Sequence, residues 1–259
     1  MSIKKARQPP KPLFLQPMWA LCKKEIRQYF STLTGYLAIA SFLLLNGLLL
    51  FVFSSYNILD YGYATLENFF TLAPFVLLVL IPAITMRLLP DEWKSGTMEI
   101  LQTRPLTSRQ LLTGKYLAAF LVVVLALLPT AVYAVSIAVL AEAGTVADTG
   151  GFTGSYTGLL LLSAAFTAIS LCMSSYTTNA VAAFLLGAAG CLLLYLGPGA
   201  IASLPVFRSG ADYYLQQAGM EQHYLSMARG VLDSRDLLFF ASILFFFLFL
   251  TYRRIRTKS

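Results

Sequence analysis

Charge is what this chain has least of. Only 12% of its 259 residues are Asp, Glu, Lys or Arg, against about 25% in an ordinary soluble domain. With 58% apolar residues and a mean hydropathy of +0.70, the shortage argues against one large soluble core and for a polytopic membrane protein. Histidine is scarcer still, since His223 is the only one. There is no HExxH pattern and no paired carboxylate inside an apolar run. An intramembrane enzyme therefore lacks its usual nucleophile–base or metal set. The three cysteines, Cys22, Cys172 and Cys191, show no CxxC or metal spacing and read as packing residues. A cleavable signal is not expected, because the first apolar run begins near Leu33 and is long enough to span.

What is there is a set of long apolar runs. A bilayer core of ~30 Å needs about 20 helical residues. Six runs meet that length, from about Leu33 to Ser54, Asn68 to Leu89, Lys115 to Leu140, Tyr156 to Ser175, Asn179 to Gly197, and Asp236 to Tyr252. The short turn at Ser174 to Thr178 makes the fourth and fifth a tight hairpin. In this layout sixteen of the nineteen Lys and Arg residues fall on one side, and Arg208, Arg229 and Arg235 on the other. The basic side, with both termini, is expected to be cytoplasmic. A net charge of +7 arranged in this way points to membrane orientation, not to nucleic acid.

Residues 1–17 are basic and proline-rich, the composition of a disordered tail. From Met18 the pattern changes. Trp19, Cys22, Ile26, Tyr29, Phe30 and Leu33 recur every three or four residues, with Lys23, Lys24 and Arg27 on the other face. Residues 18–32 are therefore expected to form an amphipathic helix in the cytoplasmic interface, its cations near anionic lipid headgroups.

Between the second and third spans lies a charged island, PDEWKSGTMEILQTRPLTSRQLLTGK, from Pro90 to Lys115. Pro90 suits a first helical turn, and Asp91 and Glu92 follow it at the positive end. Trp93, Thr97, Ile100 and Leu101 share a stripe until Pro105 stops the segment. Thr107 and Gln110 then form a capping-box pattern for a helix that leads into the third span. On physical grounds this island is either a solvated loop anchored by basic residues or a docking knob for a cytoplasmic partner.

Glu92, the run Ser95 to Leu101 (SGTMEIL), Pro105-Leu106-Thr107 and Gly114-Lys115 resemble the cytoplasmic loop of ABC-2 type transporter permeases. Asn57 to Asp60, Ile81 to Arg87, Gly154-Ser155-Tyr156, and His223-Tyr224 with Arg229 to Asp236 are similar to the gliding-motility-associated permease subunit of Bacteroidetes. The resemblance runs from about Met18 to the C-terminus. It implies an all-α, six-span permease domain over 33–259, of the type V ABC exporter-like architecture, in a bacterial inner membrane. Its loop at 90–114 would carry a coupling helix for a separate ATPase dimer. Asp91, Glu92, Trp93, Lys94, Ser95, Gly96, Thr97, Glu99 and Arg104 would be the coupling residues.

The chain has no GxxxxGK(S/T) phosphate loop. ATP and Mg are therefore expected on the partner ATPase, with no cofactor in this chain. The second half of the membrane part would be a related permease with a large extracytoplasmic domain, or a second copy. The resemblance also implies short re-entrant or interfacial helices over 204–235. His223, Arg229, Asp233, Arg235 and Asp236 are either a gate network there or a solvated cluster that locks the hairpin. Asn46, within the first span, is either helix glue or a mark of a substrate path. The complex either exports a substrate or transmits motion to an extracytoplasmic partner; a third reading is a non-transporting membrane anchor without an ATPase partner.

Overall fold

In the computed structural model residues 15–51, 66–96, 107–140, 149–205 and 211–257 are described. All regular structure among them is helical. In chain order the helices are α1 (Leu15–Ser31), α2 (Leu33–Phe51), α3 (Glu67–Thr85), α4 (Pro90–Lys94), α5 (Ser108–Leu127), α6 (Ala131–Leu140), α7 (Thr149–Ser174), α8 (Ala180–Ala202), α9 (Ala211–Gln217), α10 (Met220–Ala228) and α11 (Ser234–Thr257). Six segments are long and apolar enough to cross a membrane: Leu33–Phe51, Glu67–Lys94, Ser108–Tyr133, Gly150–Ser174, Ala180–Ala202 and Ser234–Thr257. The six apolar runs of the sequence are these segments.

Their ends show what the local chemistry decides. The sequence reading starts the third span at Lys115, whereas α5 already begins at Ser108. Thr107 accepts from the Gln110 backbone, and the Gln110 side chain accepts from the Thr107 backbone. This capping box fixes the start in the polar stretch, and the apolar run simply continues the same helix. Near the other end Pro129 sits in a 3₁₀ turn, Leu128–Thr130, that separates α5 from α6. Proline removes one ladder bond and crowds the preceding turn. At the fourth and fifth spans, Asn179 Oδ1 accepts from the Val181 backbone and caps α8, so the hairpin turns where its residues predict.

Three spans form the centre and three the periphery. The apolar windows of the α3, α5 and α7 spans are 61%, 61% and 78% buried, against 22%, 22% and 17% for α2, α8 and α11. α3, α5 and α7 are joined by polar contacts as well as apolar packing. Thr85 and Ser170 share a 2.6 Å hydroxyl contact, and Tyr116 donates to Ala164 O at 3.1 Å. Bonds of this kind contribute about 0.6 kcal/mol each in membrane helices.

α10 is wedged between spans. Met220, His223, Tyr224 and Met227 are buried. Tyr224 donates to Phe70 O on α3 at 2.6 Å, and Ser155 on α7 donates to Ala228 O at 3.1 Å. Gly154 and Gly158 present a small-residue stripe of α7 to α10. A Cβ at Gly154 would lie 2.5 Å from Met227 O and 2.8 Å from the Gly230 Cα. Both are backbone atoms, so no side chain can move aside. A Gly154→Val variant is expected to lose about 1–3 kcal/mol and to expose the 217–234 region to protease. Unfolding in detergent and limited proteolysis read these two effects.

Candidate functional site

Beneath α4 lies a cluster of charge that apolar surroundings would otherwise forbid. Lys115 sits on α5 one helical turn after Leu111 and Leu112, and its side chain is 1% exposed. An ammonium has three donors, and three acceptors meet this one. They are Leu88 O at 2.8 Å, Glu25 Oε1 on α1 at 3.2 Å and Glu92 Oε1 on α4 at 2.8 Å. Lys24, at 3.8 Å from Glu25, adds a second cation from the exposed side. One cation buried between two carboxylates costs solvation that only close geometry repays.

The rest of α1 is fitted to this node. Leu21, Cys22 and Glu25 are buried, whereas Lys23, Lys24 and Arg27 are exposed. Gly114 allows the approach, since a Cβ there would stand 3.0 Å from Leu21 and 3.1 Å from Met18 O. Tyr29 donates to Ile84 O, at the end of α3, at 2.6 Å. Burial, with Glu25's charge added, pushes the Tyr29 hydroxyl well above its ordinary range, so it remains a donor. Burial and then Glu25 raise the Cys22 thiol too. α1 thus clamps α3, α4 and α5 at one end of the bundle. The expected apolar face is shifted: Trp19 is 48% exposed, because the side packed on α5 is that of Leu21, Cys22 and Glu25.

The sequence reading runs a short helix from Pro90 until Pro105 stops it, whereas α4 begins at Pro90 and already ends at Lys94. Pro90 occupies its first turn, and Ser95 N–H bonds Asp91 O at its end. Gly96 follows with φ +68°, a left-handed conformation that favours glycine at a helix end. Of the expected coupling residues, Asp91, Lys94, Ser95 and Gly96 are exposed. Trp93 is half-buried and packs against the core. Glu92 points inward to Lys115, its side chain 12% exposed. Thr97, Glu99 and Arg104 lie outside the described residues, as do Ile100 and Leu101.

Glu25 was not singled out in the sequence, and Lys115 only as a loop cation and half of the Gly114-Lys115 pair, although the pattern carries both as buried charges. Glu25 falls in the Leu21, Cys22, Tyr29 register, and Lys115 in that of Leu111, Leu112, Tyr116 and Ala119. A charge in an apolar register is the usual sign of a buried partner.

At the other end of the bundle, His223 and Asp236 come together, Nδ1 to Oδ1 at 2.6 Å. Arg229, Asp233 and Arg235 are exposed around them. Asp233 Oδ1 accepts from the Arg235 backbone at 3.1 Å at the start of α11. Asn46, buried in α2, donates to Phe42 O of its own helix at 2.8 Å.

Removing the cation from the node leaves two buried carboxylates without it. Lys115→Met is expected to destabilise the chain by about 3–5 kcal/mol. The triple change Lys115→Met, Glu25→Gln, Glu92→Gln should recover most of that loss. Thermal unfolding in detergent compares the two; equal instability would mean that the node is not the source.

Among curated proteins, none matches the chain. The family described as ABC-2 family transporter protein matches residues 28–251, from the last turn of α1 to the last turns of α11. That span holds Tyr29 of the clamp, Lys115, Leu88 and Glu92 of the charged node, five of the apolar segments whole and most of the sixth. The chain therefore belongs to the ABC-2 transporter family and is a membrane permease subunit of an ABC transporter.

Proposed function

We propose that this chain couples ATP hydrolysis by a separate cytoplasmic ATPase dimer to export, with α4 and the segment after it as the docking lever. The observation that carries the reading is the node itself. Glu92 holds α4 to Lys115 on α5, while Asp91, Lys94, Ser95 and Gly96 face outward from the same short helix. A push on the outward face is delivered to α5, to α1 through Glu25, and to α3 through Leu88. Asp91 and Lys94 then serve as docking contacts and Glu92 as a positioning residue. Thr97, Glu99 and Arg104, outside the described residues, are assigned the same docking role. ATP and Mg bind the partner.

In this reading α4 and both termini are cytoplasmic and the membrane is the bacterial inner membrane. α1 rests its exposed Lys23, Lys24 and Arg27 against anionic headgroups. The second permease is a related subunit with a large extracytoplasmic domain, or a second copy. A gliding-motility or secretion role rests on the motif resemblance alone.

A second reading is transmission of movement to an extracytoplasmic partner, with nothing translocated. The backbone contact between α7 and α10 favours it, because displacement of α7 would carry the outer helix with it. ATPase stimulation by a partner protein alone, in liposomes, separates this from stimulation by a substrate.

The test of the main reading is recovery of the ATPase with the tagged chain from native membranes in mild detergent. The Asp91→Lys, Lys94→Glu double variant is expected to recover at least about tenfold less ATPase, as two lost charged contacts imply. Its own unfolding temperature should not change. Undiminished recovery overturns the docking role of α4.

A further inference from the structure

His223 is held by both ring nitrogens, and the two partners fix its proton count. Nε2 is 2.8 Å from Gln217 O, the carbonyl of the last residue of α9. A carbonyl only accepts, so Nε2 must carry a proton. Nδ1 is 2.6 Å from Asp236 Oδ1 in the first turn of α11. If Nε2 takes the one proton of a neutral ring, Nδ1 has a lone pair facing a carboxylate oxygen. If Nδ1 takes it, the lone pair of Nε2 faces a carbonyl. With Asp236 ionised, only the doubly protonated ring satisfies both contacts. The ring also stacks on Phe239, centroids 3.9 Å apart, and His223 is 8% exposed. It therefore cannot turn freely to seek water instead.

We propose that His223 and Asp236 form a proton-binding site whose bound proton fastens α9 and α10 to the head of α11. Three segments meet at the imidazolium, and each hydrogen bond joins a different pair of them. Loss of the proton replaces one attraction by two opposed lone pairs and leaves the Asp236 carboxylate buried without its cation. The contact is thus closed on the acid side and loosened as pH rises.

The surrounding charges do not substitute for that proton. A cavity of about 200 Å³ adjoins the pair, lined among others by Gln222, Ser226, Arg229, Asp233 and Arg235. Arg229 and Arg235 oppose a further positive charge and Asp233 favours it. Glu221 reaches the other way, toward Gly199 of α8. The one carboxylate of α9 is Asp212, and α7 and α8 bring no charged side chain to α10. The site does not depend on the coupling reading, since it lies at the opposite end of the bundle from α4.

One histidine in the chain makes the site directly visible. Full-length protein labelled with ¹⁵N-histidine, in nanodiscs, gives a single imidazole. Its two nitrogen shifts distinguish the doubly protonated ring from either neutral tautomer. The expected spectrum at about pH 6 is that of the doubly protonated ring. Amide exchange over 220–228, corrected for the base-catalysed intrinsic rate, should then be at least about tenfold faster where the spectrum shows the neutral ring than where it shows the doubly protonated one. In Asp236→Asn the carboxamide can donate to Nδ1 of a neutral ring. That variant should keep α10 protected at alkaline pH, with no step. A neutral ring at about pH 6 in the parent overturns the proton site. A doubly protonated ring with α10 exchange indifferent to its titration overturns the latch. The same alkaline loosening in Asp236→Asn overturns it also.

Discussion

Lys115 places an ammonium where the bundle is otherwise apolar, and most of the arrangement at that end follows from the need to satisfy it. Its three donors require three acceptors close by. Two are side chains from α1 and α4, and the third is the carbonyl of Leu88, in the turn that joins α3 to α4. Glu25 must therefore face α5, which forces α1 to lie against the bundle with its other cations outward. Glu92 must turn in, which leaves Asp91 and Lys94 turned out. Each element is fixed by a charge that could not be left alone, so the interaction sets geometry more than it adds stability. Isolated, any one of the three groups would be a defect.

The opposite end is organised by close approach of backbone. α10 has few residues and lies among the apolar spans, yet it is held by tyrosine and serine hydroxyls that donate to main-chain carbonyls and by glycines that let α7 come near. In an apolar medium a carbonyl without its intrahelical donor needs another, whether at a helix end like Ala228 O or four residues before a proline like Phe70 O before Pro74, and a hydroxyl on a neighbouring helix supplies it. The same solution recurs at the other end, where Tyr29 serves Ile84 O. The two ends are therefore built from one rule applied to different residues.

The spans were legible because twenty apolar residues in a row admit few other readings. The Thr107–Gln110 box was legible because capping is local chemistry, and the hairpin turn before Asn179 because a short polar stretch divides two apolar runs. The sharing of Lys115 by Glu25 and Glu92 was not, since it joins residues 90 apart in the chain. Counting Lys115 among the loop cations that orient the chain obscured its burial. The pattern around it was apolar and helical, but periodicity alone does not say which partner a buried charge has. Glu92 was expected to be a contact for another protein; Asp91 before it is exposed, and only the contact with Lys115 on α5 shows it turned inward. At the far end the sequence grouped five charged or titratable residues. The fold selects two of them for a direct contact and leaves Arg229, Asp233 and Arg235 around the rim.

The contact of Gly154 with Met227 and Gly230 has a mechanical meaning. A joint lined by side chains has compliance, because rotamers and methyl groups yield before the main chain moves. A joint of main chain on main chain has almost none. Motion entering α7 from any neighbour would reach α10 without lost travel, while the spans with little buried surface, α2, α8 and α11, are where slack can be taken up. The bundle is in that sense a stiff inner shaft in a compliant sleeve, and the glycines are what make the shaft one piece.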